Sequence, residues 1–159
     1  MKLTTRTNAL RILLATLLVG SGWFFGVLHA QNNAKSAKKD FVNPTAGRFS
    51  GAVAVYSGGV KTIYVSGHTG RGDDLKSQAL AAYQSLVKEL QAAGAGPEDV
   101  IKLNTYIANY TPADRTAYED AKRAVFPQND LPASTMVGVQ SLISPQNRIE
   151  VEAVAVIKE

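Results

Sequence analysis

Glu150 and Glu152 are two carboxylates in the phrase RIEVEAVAVI, alternating with Ile149 and Val151. Residues two apart on a strand share a face, so both acids would project together. Two like charges at one site raise the pKa of one of them, which suits general acid–base work. The plainer alternative is that both face solvent or meet lysines across a sheet. His68 is the second titratable candidate, the only histidine beyond residue 30. It can donate a hydrogen bond or act as a base near neutral pH, or be a loop histidine with no special role. With no second histidine beside it and no cysteine in the chain, neither a metal centre nor a cofactor is expected. Spacing selects no serine as a partner for His68, so no Ser-His-Asp triad emerges. The loop GHTGRGD (67–73) is glycine-rich but lacks the Lys-Ser/Thr ending of a phosphate-binding P-loop.

These residues need a scaffold, and the sequence describes one. GAVAVY (51–56) and KTIYVS (61–66) read as short strands, and Ser57-Gly58-Gly59 suits a hairpin turn because glycine accepts positive φ. Asp74 to Ala93 reads as a helix, with Leu75, Ala79, Ala82, Leu86 and Leu90 recurring at spacings of three and four. Asp73 or Asp74 suits its N-cap and Gly94 its left-handed end. Val100 to Ile107 forms a third strand with Lys102, Asn104 and Tyr106 on one face. Thr111-Pro112-Ala113-Asp114 opens a second helix, with threonine at the N-cap, proline at N1 and a carboxylate at N3, running to about Val125 before Pro127. Ser134 to Val139 and Ile149 to Ile157 complete the set. The order is ββαβαββ, a two-layer α/β or α+β arrangement of helices on a sheet.

Residues 1–30 read as a targeting segment. Lys2, Arg6 and Arg11 precede an apolar run from Ile12 to Leu28, and Leu28-His29-Ala30 offers a cleavage site. The run is at the short limit for crossing a bilayer core of roughly 30 Å. The expected location is therefore periplasmic or secreted, with an uncleaved inner-membrane anchor as the alternative and membrane contact only through that segment. Residues 31–42 read as a linker and 43–159 as the domain. The sequence pI of 9.4 is misleading. From Phe41 onward there are 11 Lys/Arg and 12 Asp/Glu, a net charge of −1. That leaves no basic stripe of the kind nucleic-acid binding requires, and no nucleic-acid partner is expected.

Three phrases, VSGHTG (65–70), AAGAGPEDVIK (92–102) and LPASTMVGVQSLISPQNRIEVEAVAVI (131–157), taken in order, resemble the RidA/YjgF/YER057c/UK114 family. The resemblance covers about Asn43 to Lys158. It implies a RidA-like, chorismate-mutase-like fold, assembly as a homotrimeric barrel, and small-molecule clefts between subunits. Many members hydrolyse reactive imines. The resemblance makes Glu150 the candidate catalytic residue, matching the first glutamate of an Ile-Glu-Ile-Glu-Ala pattern. It places Ser66 and Gly67 in the cleft lining, with His68 where relatives carry glutamine, and Phe49 where they carry an aromatic residue. In deaminating relatives an arginine after Pro-Ala grips the substrate carboxylate through a planar two-pronged contact. Here that position is Ser134. Arg48, and less directly Arg148, are the candidates to replace it. Tyr118 and Asp120 are expected on the helix surface or at a subunit interface. The implied function is an exported binder of a small molecule with weak or no 2-imino acid deaminase activity. The alternatives are an active imine or enamine hydrolase using Glu150 and water, or a non-enzymatic, chaperone-like interaction protein.

Overall fold

A computed structural model describes residues 37–159, so the expected targeting segment and residues 31–36 of the expected linker lie outside the described residues. Eight residues that read as linker or domain start instead form a strand. β1 (Lys38–Thr45) pairs antiparallel with β2 (Phe49–Ser57), so the linker expected to reach residue 42 ends before Lys38. β1 holds chiefly by its backbone ladder, with Val42 alone packed against the core, as an edge strand can. Its side chains add two anchors: Tyr56 donates its hydroxyl to Asp40 at 2.6 Å, with the Lys38 ammonium 4.4 Å from the Tyr56 ring centre, and Asn43 Nδ2 donates to Glu89 Oε2 at 2.8 Å.

β2 turns into β3 (Val60–Thr69) through Gly58 and Gly59, both at positive φ (61° and 77°), the two-residue turn that matches strand twist. Helix α1 (Leu75–Ala92) follows, then β4 (Val100–Ala108), helix α2 (Arg115–Val125), β5 (Ala133–Val139) and β6 (Ile149–Lys158). The architecture is α+β: one six-stranded sheet in the order β1-β2-β3-β6-β4-β5, with both helices on one face. Only β4 and β5 run parallel, joined across α2. The observed order is thus βββαβαββ, one strand more than the sequence pattern predicts.

The caps explain the helix limits. Asp74 accepts from the Ser77 backbone N–H at 2.7 Å and caps α1, and Gly94 at φ 81° ends it. At the second helix the carboxylate of Asp114 accepts from the Thr111 backbone N–H at 2.7 Å and from its hydroxyl at 3.0 Å. The threonine hydroxyl therefore donates to the acid rather than capping an amide. Residues 112–114 form a tight 3-10 turn before the α-helix begins at Arg115.

The core lies between α1, α2 and one sheet face. Leu86, Leu90 and Tyr83 from α1 meet Ile63, Leu103, Ile107, Ile149 and Val151 from the sheet, all with no exposed surface. Ala79 and Ala82 of α1 and Ala52, Ala54 and Ala155 of the sheet belong to the same buried cluster, small residues that suit a close helix–sheet approach. Tyr83 meets Phe126 edge-on at 5.7 Å, and its hydroxyl lies 3.3 Å from Thr105 Oγ1. No helix among the described residues is long and apolar enough to cross a membrane.

Candidate functional site

The opposite sheet face carries no helix, and there the polar residues of the inner strands gather. Alternation along β6 turns Ile149, Val151, Ala153 and Ala155 into the core, and Glu150 and Glu152 to the uncovered face. The two acids share that face, as their spacing predicts, but have separate environments. Glu152 Oε1 accepts from Asn104 Nδ2 at 2.9 Å and from the Tyr106 hydroxyl at 2.9 Å. That hydrogen bond holds the Tyr106 phenol above its ordinary pKa, since ionising it would set two negative charges together. Glu150 instead lies over the backbone of Gly67, where any side chain would overlap its Oε1.

Gly67 occupies a break in the ladder. Val65 pairs with Ala153 and His68 with Val151, so β3 spends three steps where β6 spends two. This is a β-bulge, which re-aims the side chains beyond it. It aligns His68 with Val151, on the helix-covered face, and aligns Thr69 with Glu150 on the open one. His68 is thereby turned away from Glu150's face. Its Nε2 is buried without a hydrogen-bond partner, and burial lowers its pKa from the ordinary 6.5, against opposing influences from Glu89, the Gly51 backbone and Glu150. Ser66 Oγ donates to the Ser50 carbonyl at 2.7 Å, tying the bulge to the start of β2, where Phe49 is exposed.

The structure therefore brings Ser66, Gly67 and Glu150 to one end of the sheet, with Phe49 beside Ser50. Ser134 is elsewhere. It pairs with Leu103 on the outer strand, in the register of the helix-covered face, so within the chain it does not meet Glu150. Arg48 lies exposed in the β1–β2 turn and makes no ion pair among the described residues. Arg148 is occupied. Its Nε donates to the Ala108 carbonyl at 3.0 Å, and its NH2 meets Asp114 at 3.3 Å. The Asp114 carboxyl is held below its ordinary range, first by the Thr111 backbone N–H and further by Arg148. Tyr118 is buried rather than on the helix surface, because its ring turns in toward the core. Asp120 is on the surface and pairs with Arg123 and Lys76.

Sequence reading missed Gln78 and the Lys102–Asn104–Tyr106 row. Gln78 is buried and saturated: it donates to the Gly72 and Gln146 carbonyls, each at 3.1 Å, and accepts from the Arg148 N–H at 2.8 Å. It thus joins the glycine-rich loop to the loop before β6. A 560 Å³ cleft lies over this junction, lined by Thr69, Gly70, Arg71, Ser144 and Asn147. The row on β4 was visible as an alternation, but nothing in it signalled that it would meet Glu152.

A two-layer α+β domain with one bare, polar-centred sheet face and a bulged strand under a glutamate defines a recognisable class. The family model described as Endoribonuclease L-PSP matches residues 43–157. The chain belongs to that family, the RidA/YjgF/L-PSP proteins. It is 32% identical over 121 residues to a 2-iminobutanoate/2-iminopropanoate deaminase of Dermatophagoides farinae, covering 70% of this chain and 88% of the relative. A conserved Rid-family protein of unknown function from Yersinia pestis is 31% identical, with a TM-score of 0.58 over 75% of this chain and 98% of that one. A member of the YjgF/YER057c/UK114 family from Mycobacterium tuberculosis is 27% identical, with a TM-score of 0.64 over 76% of this chain and all of that one.

Proposed function

We propose that this protein is an exported RidA-like binder of a small molecule, assembled as a homotrimer with clefts between subunits, and that its 2-imino acid deaminase activity is weak or absent. The observation that carries the reading is the commitment of Arg148 to Asp114 and the Ala108 carbonyl. With serine at 134, a substrate carboxylate needs another cation. Arg148 is already spent, and Arg48 is held only by the turn. A charged hydrogen bond contributes roughly 1.5–3 kcal/mol, so loss of a two-pronged grip weakens carboxylate binding by several powers of ten. The separation of Ser134 from Glu150 within one subunit fits a cleft completed by a neighbour. The test is a coupled assay with freshly generated 2-iminobutanoate and 2-iminopropanoate, beside calorimetric titration of the corresponding keto acids. Rapid ammonia release by the unmodified chain would defeat this reading.

A second reading, an active imine or enamine hydrolase, is favoured by the deaminase relative and by the free carboxylate of Glu150 above Gly67. In it Glu150 orients one water against the C=N carbon of a substrate that lacks the usual carboxylate, and takes a proton from that water as it adds. Turnover that disappears in Glu150→Gln would establish it.

A further inference from the structure

One side chain of α1 ties both walls of the 560 Å³ cleft between the glycine-rich loop and the loop before β6. Gln78 donates to the Gly72 carbonyl in the first and to the Gln146 carbonyl in the second, and accepts from the Arg148 N–H. The glycine-rich loop is also pressed onto the helix. A side chain at residue 70 would overlap the Gln78 carbonyl, and one at residue 72 would overlap Ser77 Oγ. The cleft is therefore fixed to the α1 side of the domain, off the bare sheet face that the proposed trimer would pack together. Its buried floor is saturated, but its walls are not. Arg71 takes part in no ion pair and no side-chain hydrogen bond among the described residues, and the Thr69 and Asn147 side chains are likewise without partners. Ser144 Oγ donates to Gln146 Oε1, which leaves the Gln146 amide nitrogen unspent. The lining holds one cation, hydroxyls and amides, with no carboxylate and no aliphatic or aromatic side chain. The acids next in sequence, Asp73 and Asp74, stand outside the lining, and Asp74 is engaged by Ser77.

We infer that this cleft binds a small polyhydroxylated carboxylate, a sugar acid of about six carbons. Its carboxylate would take the Arg71 guanidinium, whose planar fork offers two parallel donors. Its hydroxyls would exchange hydrogen bonds with Thr69, Asn147 and the Gln146 amide, groups that can serve as donors or acceptors. The make-up of the walls sets the selectivity. A neutral polyol lacks the charge that Arg71 recognises, and an apolar acid finds no apolar wall to cover its chain. An amine meets a like charge. The volume lies in the ordinary range for small-molecule sites. The site is built by one chain alone, so it is distinct from clefts between subunits, and it operates whether or not the Glu150–Gly67 end hydrolyses anything.

The test is isothermal titration of the purified full-length chain with three six-carbon probes: D-gluconate, which has the acid and the hydroxyls; D-glucitol, which has only the hydroxyls; and hexanoate, which has only the acid. Gluconate is expected to bind at least about tenfold more tightly than either of the others. Arg71→Met is expected to weaken gluconate by about tenfold or more, and Arg71→Lys, which keeps the charge but not the fork, by less. Lys88→Met removes one positive charge from an exposed position on α1 and is expected to leave gluconate affinity unchanged. No gluconate binding, glucitol or hexanoate bound as tightly as gluconate, an unaltered affinity in Arg71→Met, or an equal loss in Lys88→Met would each overturn the assignment.

Discussion

Glu150 rests on the bare backbone of Gly67, and the two are held in register by the pairing of Thr69 with Glu150 just beyond the bulge. A methyl group at residue 67 must displace the carboxylate, whose far end is flexible enough to yield. Gly67→Ala is therefore expected to leave the fold intact and to move Glu150. If Glu150 orients a water, misplacement by about 1 Å costs up to ~100-fold in turnover. The measurement is imine hydrolysis in Gly67→Ala beside Glu150→Gln, with thermal melts of both. Full turnover in the alanine variant and none in the glutamine variant would mean the carboxylate works from its displaced position.

Restoring a guanidinium tests the reading of Ser134. Ser134→Arg on the outer strand should raise kcat/KM for 2-iminobutanoate at least about tenfold, since one recovered charged hydrogen bond of roughly 1.5–3 kcal/mol amounts to that much. Arg48→Ala in the same assay distinguishes a rescuing cation from a bystander. An unchanged rate in Ser134→Arg, with the protein still folded, would remove the missing arginine as the deciding difference.

The core prediction concerns α1. Leu86 has no exposed surface and is in the cluster with Ile63 and Leu103. Leu86→Ala should cost about 2–5 kcal/mol in urea denaturation, through lost burial and the cavity left behind. Tyr83 differs in kind. Burial pushes its phenol up to about 12, so its hydroxyl stays neutral across ordinary pH and its partner is Thr105. Tyr83→Phe should cost only about 1 kcal/mol, the net value of one hydrogen bond.

His68 gives stability a pH dependence with a defined sign. Burial lowers its pKa below the ordinary 6.5, so the fold prefers the neutral ring while the unfolded chain takes up a proton more readily. The unfolded state therefore binds more protons between the two values. Stability is full above about 6.5, falls as pH drops through that value, and levels off below the folded value. Denaturant midpoints measured across this range should slope in the parent and flatten in His68→Gln. A parallel slope in the variant would place the titration elsewhere.

Much of this scaffold was legible because local signals agreed. Gly58-Gly59 demanded the hairpin, Asp74 and Gly94 bracketed α1, and alternation assigned the two glutamates to one face. The first strand was not legible, since KKDFVNPT carries lysines, a proline and Asn43 at φ 45°. It is an edge strand held by its ladder, and an edge needs no apolar stripe. The bulge was invisible for another reason. Its effect on His68 depends on how β3 pairs with β6, some eighty residues later in the chain. The same holds for Arg148 with Asp114 and for Lys102 with Thr135. Each pairing is decided by strand order, which periodicity does not encode.

The position of β6 carries a consequence for how the domain forms. The final strand of the sequence is not at a margin: it is seated between β3 and β4, hydrogen-bonded on both sides. Until it arrives, the hairpins of the first half and the β4–α2–β5 unit have no shared ladder, and two naked edges face one another. Closure of the sheet must therefore wait until β6 has been made, and a chain cut before β6 keeps two part-sheets with no ladder in common.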